Sequence, residues 1–358
     1  MSYVLPLGPY HPALEEPVHV KLLTEGEIIK DSEVYIGYNH RGIEKLTETR
    51  NFIQTITLVE RVCGICSHSH AMTYCLAIED IVGMEVPKRG QYIRVILSEL
   101  ERLHSHYLWL GLAAHIIAFD SLFMMCFASR EKIMDMLEVI SGNRVNYAMN
   151  IVGGARRDIN EEQKQTLINM ISELRREYKN IYNIYAKDSS IAARTKGVGV
   201  LSKDDALNYG ACGPHGRASG VNFDVRKTMS YNFYEDFNVA LAKDGDVFSR
   251  AVVRLIEIEE SFKIIEQALN KIPHGPINLG NKIPRVPAGE AMIVTEAPRG
   301  EVTYYVVTNG GQTNGRINIH VPTFKNAMTV PVMLKNNTIA DAGLIVASID
   351  PCFSCLDR

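Results

Sequence analysis

Two Cys-x-x-Cys pairs, Cys63–Cys66 in RVCGICSHSH and Cys352–Cys355 in DPCFSCLDR, stand near opposite ends of a 358-residue chain. Two thiolates alone do not close a metal site, whereas two such turns give a four-thiolate site. If both pairs serve one centre, the fold must bring the last residues onto the first quarter of the polypeptide. A small zinc ribbon or knuckle does not span that separation; a large scaffold burying one site does. Soft sulfur donors suit zinc, iron–sulfur clusters or nickel. Spacing alone leaves a closed structural zinc site with four cysteine ligands open beside a redox metal.

Composition narrows the setting. Hydrophobic residues make up 46% and charged residues 22%, ordinary for a globular protein, and the net charge of -3 provides no basic field for nucleic acid. Four of the seven cysteines lie in the two pairs, which reads as metal or redox chemistry and not as a disulfide framework. Cys75, Cys126 and Cys212 stand alone and read as small buried hydrophobes. The opening MSYVLPLGPYHP lacks a basic and then apolar leader, which points to a cytoplasmic protein. YLWLGLAAHIIAFDSLFMMCFA, residues 107–128, is long enough to cross a bilayer, but it contains His115 and Asp120. An aspartate near a helix centre costs roughly 2.5–3.5 kcal/mol on insertion. The stretch continues backward into QYIRVILSELERLHSHY, so the expectation is one long helix sunk in a protein core, any membrane anchor coming from a partner.

Local patterning predicts a mainly α fold with a minor β part. Residues 17–36 alternate around Glu25-Gly26 as a β-hairpin. Helices flank the CGIC loop over 40–82, and Ile93, Ile96, Leu97, Leu100 and Leu103 mark helical spacing from 90 to about 150. A helix over 160–187 is announced by Asn160 and Gln163 as a capping box. Residues 195–228 read as loop, 230–271 as a helix stopping before Pro273, and GEAMIVTEAPRGEVTYYVVTNGG as two strands around a Pro-Arg-Gly turn. The tail reads as a buried helix ending at Asp350-Pro351. The expected architecture is a central bundle of long helices with an N-terminal hairpin and peripheral strands. It forms one domain over 1–358: a β-rich part (1–40), a helical core (40–272) and a mixed C-terminal part (273–358) carrying the second cysteine pair.

R-x-C-G-x-C with a histidine four residues after the second cysteine, and D-P-C-x-x-C-x-x-H/R at the C-terminus, resemble the large subunit of nickel–iron hydrogenases. GPYHPALEEP, HRGIEKL, ERVCGICSHSHAMTYCLAIED, RLHSHYLWLG, CGPHGRASGVNFDVRK and EAPRG extend the resemblance over essentially the whole chain. They are similar to the membrane-associated, energy-converting (group 4) branch, itself related to the quinone-site subunit of respiratory complex I. The resemblance implies a Ni-Fe centre with CO and CN ligands on the iron, interconverting protons and electrons with H2. Cys63 and Cys352 would be terminal nickel ligands, and Cys66 and Cys355 would bridge to iron.

Around the sulfurs the resemblance assigns further roles. Glu16 in ALEEP would pass protons from a terminal cysteine, with Glu15 the competing choice. Arg299 in EAPRG would hang over the metals, and Asp350 is a natural ion partner for a buried arginine. Pro322 and Thr323, in HVPTF, match a loop that would donate a hydrogen bond to a cyanide. His70 would approach a bridging sulfur, His68 being only its neighbour and Arg61 structural. Glu44 matches a glutamate that holds a further Mg or Fe ion in soluble relatives. Those relatives end the second motif in His, whereas here Arg358 stands in its place and would substitute its own charge for the cation. Arg217 reads equally as a contact for the electron-transfer partner or as a solvated arginine. The implied partners are a small subunit bearing a 4Fe–4S cluster, ferredoxin acting through partner subunits, and integral membrane subunits that translocate ions. The protein would then lie peripherally on the cytoplasmic side of the membrane. Quinone-site relatives have lost the cysteine set, and retention of all four here favours a hydrogenase over a quinone or sulfur reductase; a non-catalytic scaffold subunit with a zinc four-cysteine staple is an alternative of a different class.

Overall fold

The computed structural model describes residues 2–14, 16–228, 234, 236–280 and 285–358. Three strands open the chain, β1 (Ser2–Leu7), β2 (His19–Glu25) and β3 (Ile28–Tyr35), paired antiparallel in the order β1-β2-β3. The β2–β3 hairpin turns at Gly26 (φ 58°), where the alternation placed it. Strand β1 escapes sequence reading because it is exposed from Ser2 to Pro6 and carries that proline, so it shows no period-two burial.

Helices α1 (Ile43–Thr47), α2 (Phe52–Glu60) and α3 (Ser67–Val82) lead into the long α4 (Lys88–Ile116) and α5 (Asp120–Ser141). The single long helix expected across residue 117 is two. Phe119 N bonds back to Ala114 O and Ala118 N to His115 O, with Ala118 left-handed at φ 62°, a Schellman-type stop. Helical spacing persists across this break because both helices bury their apolar faces in the same core. Among the described residues no helix is long and apolar enough to cross a membrane.

After the two-residue strands β4 (Asn150–Ile151) and β5 (Gly154–Ala155) comes α6 (Glu161–Lys187). Its cap is the expected reciprocal pair: Asn160 accepts from Gln163 N, and the Gln163 side chain accepts from Asn160 N. Its buried residues, Leu167, Ile171, Leu174, Tyr178, Ile181 and Tyr185, step by three and four and form one stripe. Residues 195–228 are not simply loop; they contain α8 (Lys203–Asn208), α9 (Gly213–Ala218) and α10 (Val225–Thr228), preceded by α7 (Ser189–Thr195). Helix α11 (Val247–Lys271) starts later than the spacing implied, because Gly245 (φ 64°) breaks the chain and Asp246 caps it through Ser249 N. Helices α4, α5, α6 and α11 pack together as the central bundle.

The C-terminal part adds the sheet β6 (Ala288–Ala297), β7 (Gly300–Asn309) and β8 (Asn314–His320) in that order. Short helices α12 (Pro322–Ala327), α13 (Val330–Leu334), α14 (Ala342–Ser348) and α15 (Phe353–Asp357) follow. A second core joins this sheet and the chain's last helices to α2, α3 and the N-terminal strands. The two ends of the chain are thus packed into one body, and the cysteine turns meet where that body abuts α4.

Candidate metal centre

The first cysteine turn fills the gap between the C-terminus of α2 and the N-terminus of α3; Cys352 immediately precedes α15, and Cys355 lies within it. The four sulfurs converge. Cys63 and Cys352 are 3.4 Å apart, Cys66 and Cys355 3.4 Å, and Cys352 and Cys355 3.1 Å. A disulfide would place sulfurs at about 2.05 Å, and all seven cysteines are free. None of the four is more than 4% exposed. Ile65 N donates to Cys63 Sγ at 3.2 Å, and Cys352 N donates to Thr323 Oγ1 at 3.1 Å, fixing both turns.

Four buried thiols in contact are poorly served as thiols. Hydrogen bonds from the thiols of Cys352, Cys355 and Cys66 drive Cys63 well towards thiolate, while burial pushes Cys355 well above the ordinary range. Ionising all four in this dry site requires a cation among them. The chemistry of the donor set therefore fits a soft metal centre, and Cys63, Cys66 and Cys355 alone already meet ligand spacing.

Arg299 is placed by the β6–β7 turn. Gly300 and Gly213 press backbone to backbone: a Cβ on Gly213 would lie 2.3 Å from Arg299 O, and one on Gly300 2.9 Å from Gly213 Cα. Both have positive φ, so only glycine permits this contact. The guanidinium is buried, with Nη2 2.8 Å from Asp350 Oδ1 and Nε donating to Asp350 O at 2.9 Å. Its Nη1 donates to Ser105 Oγ on α4 at 3.3 Å. Asp350 itself is left-handed (φ 55°) and faces a second guanidinium, Arg254, at 3.9 Å. Arg299, Pro322, Thr323 and His70 line, with Cys66, Cys352 and Cys355, a small, partly enclosed cavity of about 10 Å³; Ala297, Val302 and Val321 supply its apolar wall.

His70 Nε2 lies 3.4 Å from Cys355 Sγ, and its Nδ1 lies 2.8 Å from the Tyr304 hydroxyl. Burial pulls its pKa down to about 4, so the ring is neutral; with Nε2–H facing sulfur, Nδ1 accepts from Tyr304. His68 points elsewhere, to Arg94 O and Ser98 Oγ. Glu16 Oε2 accepts from Phe353 N and, at 2.9 Å, from Ser354 N, the two residues that follow Cys352. Burial raises its pKa against the pull of those amides and of Arg299. Glu15 lies outside the described residues.

The residues around Glu44 do not fit the further Mg or Fe ion. Glu44 Oε1 accepts from Arg358 Nε at 2.9 Å and from Ile319 N at 2.9 Å, and Oε2 accepts from Arg316 at 3.3 Å. Two guanidiniums neutralise the carboxylate, and no group of three ligands gathers there among the described residues. Arg61 is half-exposed and bonds Thr57 O. Arg217 is neither solvated nor at the surface: it is 1% exposed and held by Glu257 at 2.7 Å and Glu296 at 2.8 Å. An isolated arginine in a glycine-rich segment gives no hint of carboxylates arriving from α11 and β6. Sequence reading also passes over Glu101 of α4, which accepts from His68 N (2.7 Å), Ser69 N (3.0 Å) and Ser69 Oγ (2.5 Å), capping α3 behind the first cysteine turn. Ser105, Tyr304 and Arg41 are missed for the same reason, since each meets its partner only across elements.

The chain is similar to known proteins along its whole length. Residues 41–120 match the family described as nickel-dependent hydrogenase; residues 117–283 and 278–358 match the one described as respiratory-chain NADH dehydrogenase, 49 Kd subunit. It is 44% identical to the carbon monoxide-induced hydrogenase of Rhodospirillum rubrum, over 100% of this chain and 99% of that protein. It is 41% identical to the membrane-bound hydrogenase subunit alpha of Pyrococcus furiosus, over 99% and 87%. Among solved structures, a chain of the membrane-bound sulfane sulfur reductase, an archaeal respiratory membrane complex, superposes with a TM-score of 0.95 at 32% identity, covering 100% of this chain and 98% of that one.

Proposed function

Because the chain belongs to the family of nickel–iron hydrogenase large subunits and complex I 49 kDa subunits, on its group 4 membrane-associated branch, we propose that it is the catalytic subunit of an energy-converting hydrogenase. The reaction is the reversible combination of two protons and two electrons into H2. The observation that carries this reading is the meeting of four unoxidised, buried sulfurs beside a small cavity lined by Arg299. By the resemblance, quinone-site relatives have lost this sulfur set.

In this reading Cys63, Cys66, Cys352 and Cys355 would hold nickel and iron between them, and Arg299, Pro322 and Thr323 would line the space for CO and CN ligands on the iron. The bound group supplies the redox chemistry and the position at which H2 is polarised. The protein supplies the rest. Cys352 Sγ would take the proton, and Glu16, bonded to the very next amide, would take it onward; burial holds its carboxyl pKa above the ordinary glutamate value. Arg299 presents a fixed positive charge towards the cavity, held in place by Asp350. Neutral His70 donates to Cys355 and tunes that sulfur from outside the metal's own ligand set. Apolar Ala297, Val302 and Val321 keep water from the cavity. Electrons enter through a small subunit with a 4Fe–4S cluster, fed by ferredoxin, and integral membrane subunits couple turnover to ion movement while anchoring the protein at the cytoplasmic face.

A second reading, a sulfur reductase, is favoured by the close superposition on the sulfane sulfur reductase chain. Metal analysis and infrared spectroscopy of the purified complex separate the readings. Nickel and iron together with CO and cyanide bands, and H2 evolution, support the hydrogenase. Iron-free protein holding zinc alone would overturn it, and sulfur reduction without H2 chemistry would replace it.

A further inference from the structure

We propose that Arg41 is a positioning residue of the metal centre, one guanidinium tying the two cysteine turns to each other. The proposal rests on reading the four thiols as ligands of one centre. Arg41 Nη2 donates to Val62 O at 2.8 Å and to Ser354 O at 2.6 Å. Val62 directly precedes Cys63, and Ser354 directly precedes Cys355. A single nitrogen therefore sits one residue from a sulfur in each turn, although the turns are separated by nearly the whole chain. Nη1 adds a bond to Arg61 O at 3.1 Å, and Nε closes onto Asn39 O at 3.3 Å.

The chemistry explains why an arginine fits this junction. Arg61 and Val62 follow α2, where the last carbonyls of a helix lack intrahelical partners and favour a cation. All four described bonds of Arg41 go to backbone carbonyls, and among the described residues no carboxylate pairs with it. Its planar fork fixes the distance between the two turns, whereas a lysine ammonium cannot reach the same set of acceptors at once. Both cross-turn sulfur contacts, Cys63 with Cys352 and Cys66 with Cys355, span the junction that this side chain bridges. Arg41 thus sets ligand spacing without touching a ligand.

The test uses the purified holo complex carrying Arg41→Ala or Arg41→Lys, challenged with a chelator while release of the resident metal is followed. Both variants are expected to lose metal about 10–100-fold faster than wild type, the usual cost of removing support behind ligands. Methylguanidine should restore Arg41→Ala to within about threefold of wild type, and hydrogen exchange of residues 353–358 should rise in both variants. An Arg41→Lys protein that keeps its metal like wild type would overturn the proposal, since charge alone would then suffice. So would loss in Arg41→Ala that methylguanidine leaves unchanged, because that is general damage; if the alanine variant does not fold, the lysine variant decides. The readout follows whichever metal the wild type holds. Zinc there would sink the hydrogenase reading while leaving this test intact.

Discussion

Replacing Glu16 by Gln separates proton transfer from architecture. The glutamate accepts two backbone amides at the start of α15, Phe353 N and Ser354 N. A glutamine oxygen can accept the same pair, so the turn carrying Cys352 keeps its support. The loss is charge assistance, about 1 kcal/mol per bond and so about 2 kcal/mol in all. Against this, the native carboxylate suffers from burial, which is what raises its pKa, and glutamine does not. The two terms oppose each other, so stability should change by less than about 2 kcal/mol. Loss of a general acid–base group costs about 10²–10⁴ in rate, or roughly 3–5 kcal/mol of barrier. The kinetic effect must therefore exceed the structural one. The assay is H2 evolution and hydrogen-isotope exchange with solvent, beside nickel content on the same preparation. We expect nickel near wild type with turnover down at least about 100-fold. There is also a pH signature. A carboxyl whose folded pKa is raised binds its proton more tightly in the folded state, so its contribution to stability is present at low pH and lost as pH rises through the folded pKa. Glu16→Gln should therefore gain stability relative to wild type as pH rises above the ordinary glutamate range. Turnover within about threefold of wild type at equal nickel would refute the relay.

Two further changes probe the supports of the centre. Asp350→Asn removes the carboxylate 2.8 Å from Arg299 and leaves two buried guanidiniums, Arg299 and Arg254, without their shared carboxylate partner. Asparagine tolerates the left-handed backbone at this position, so the expected loss of about 3–5 kcal/mol in chemical denaturation reports the charge alone; a loss below about 1 kcal/mol would mean that the pair does not hold the turn. Glu101→Gln should flatten the pH dependence of stability: burial raises Glu101 to about 8, so wild type loses stability as pH rises from the ordinary glutamate range towards that value. Thermal shifts at the two ends of this window should converge in the variant, and an unchanged slope would exclude Glu101 as its source.

What the sequence determined by itself is what depends on near neighbours. The stripe on α6 and its Asn160–Gln163 cap are written within a few turns of one helix, because a 3.6-residue period and a reciprocal cap need no distant partner. The β2–β3 hairpin is equally local. The two cysteine pairs went further, since two half-sites of the same chemistry demand one another, and their residue types specify the demand without any contact being known. Tertiary structure decided whatever required a partner from elsewhere. It broke the helix at Ala118, in a stretch whose apolar spacing never falters. It sank Arg217 among carboxylates of α11 and β6. It brought Glu101 behind the first cysteine turn and Arg41 across both. A buried charge is tolerable only where its counter-charge or hydrogen-bond acceptors have been delivered, and that delivery is a property of the folded chain, not of any window along it.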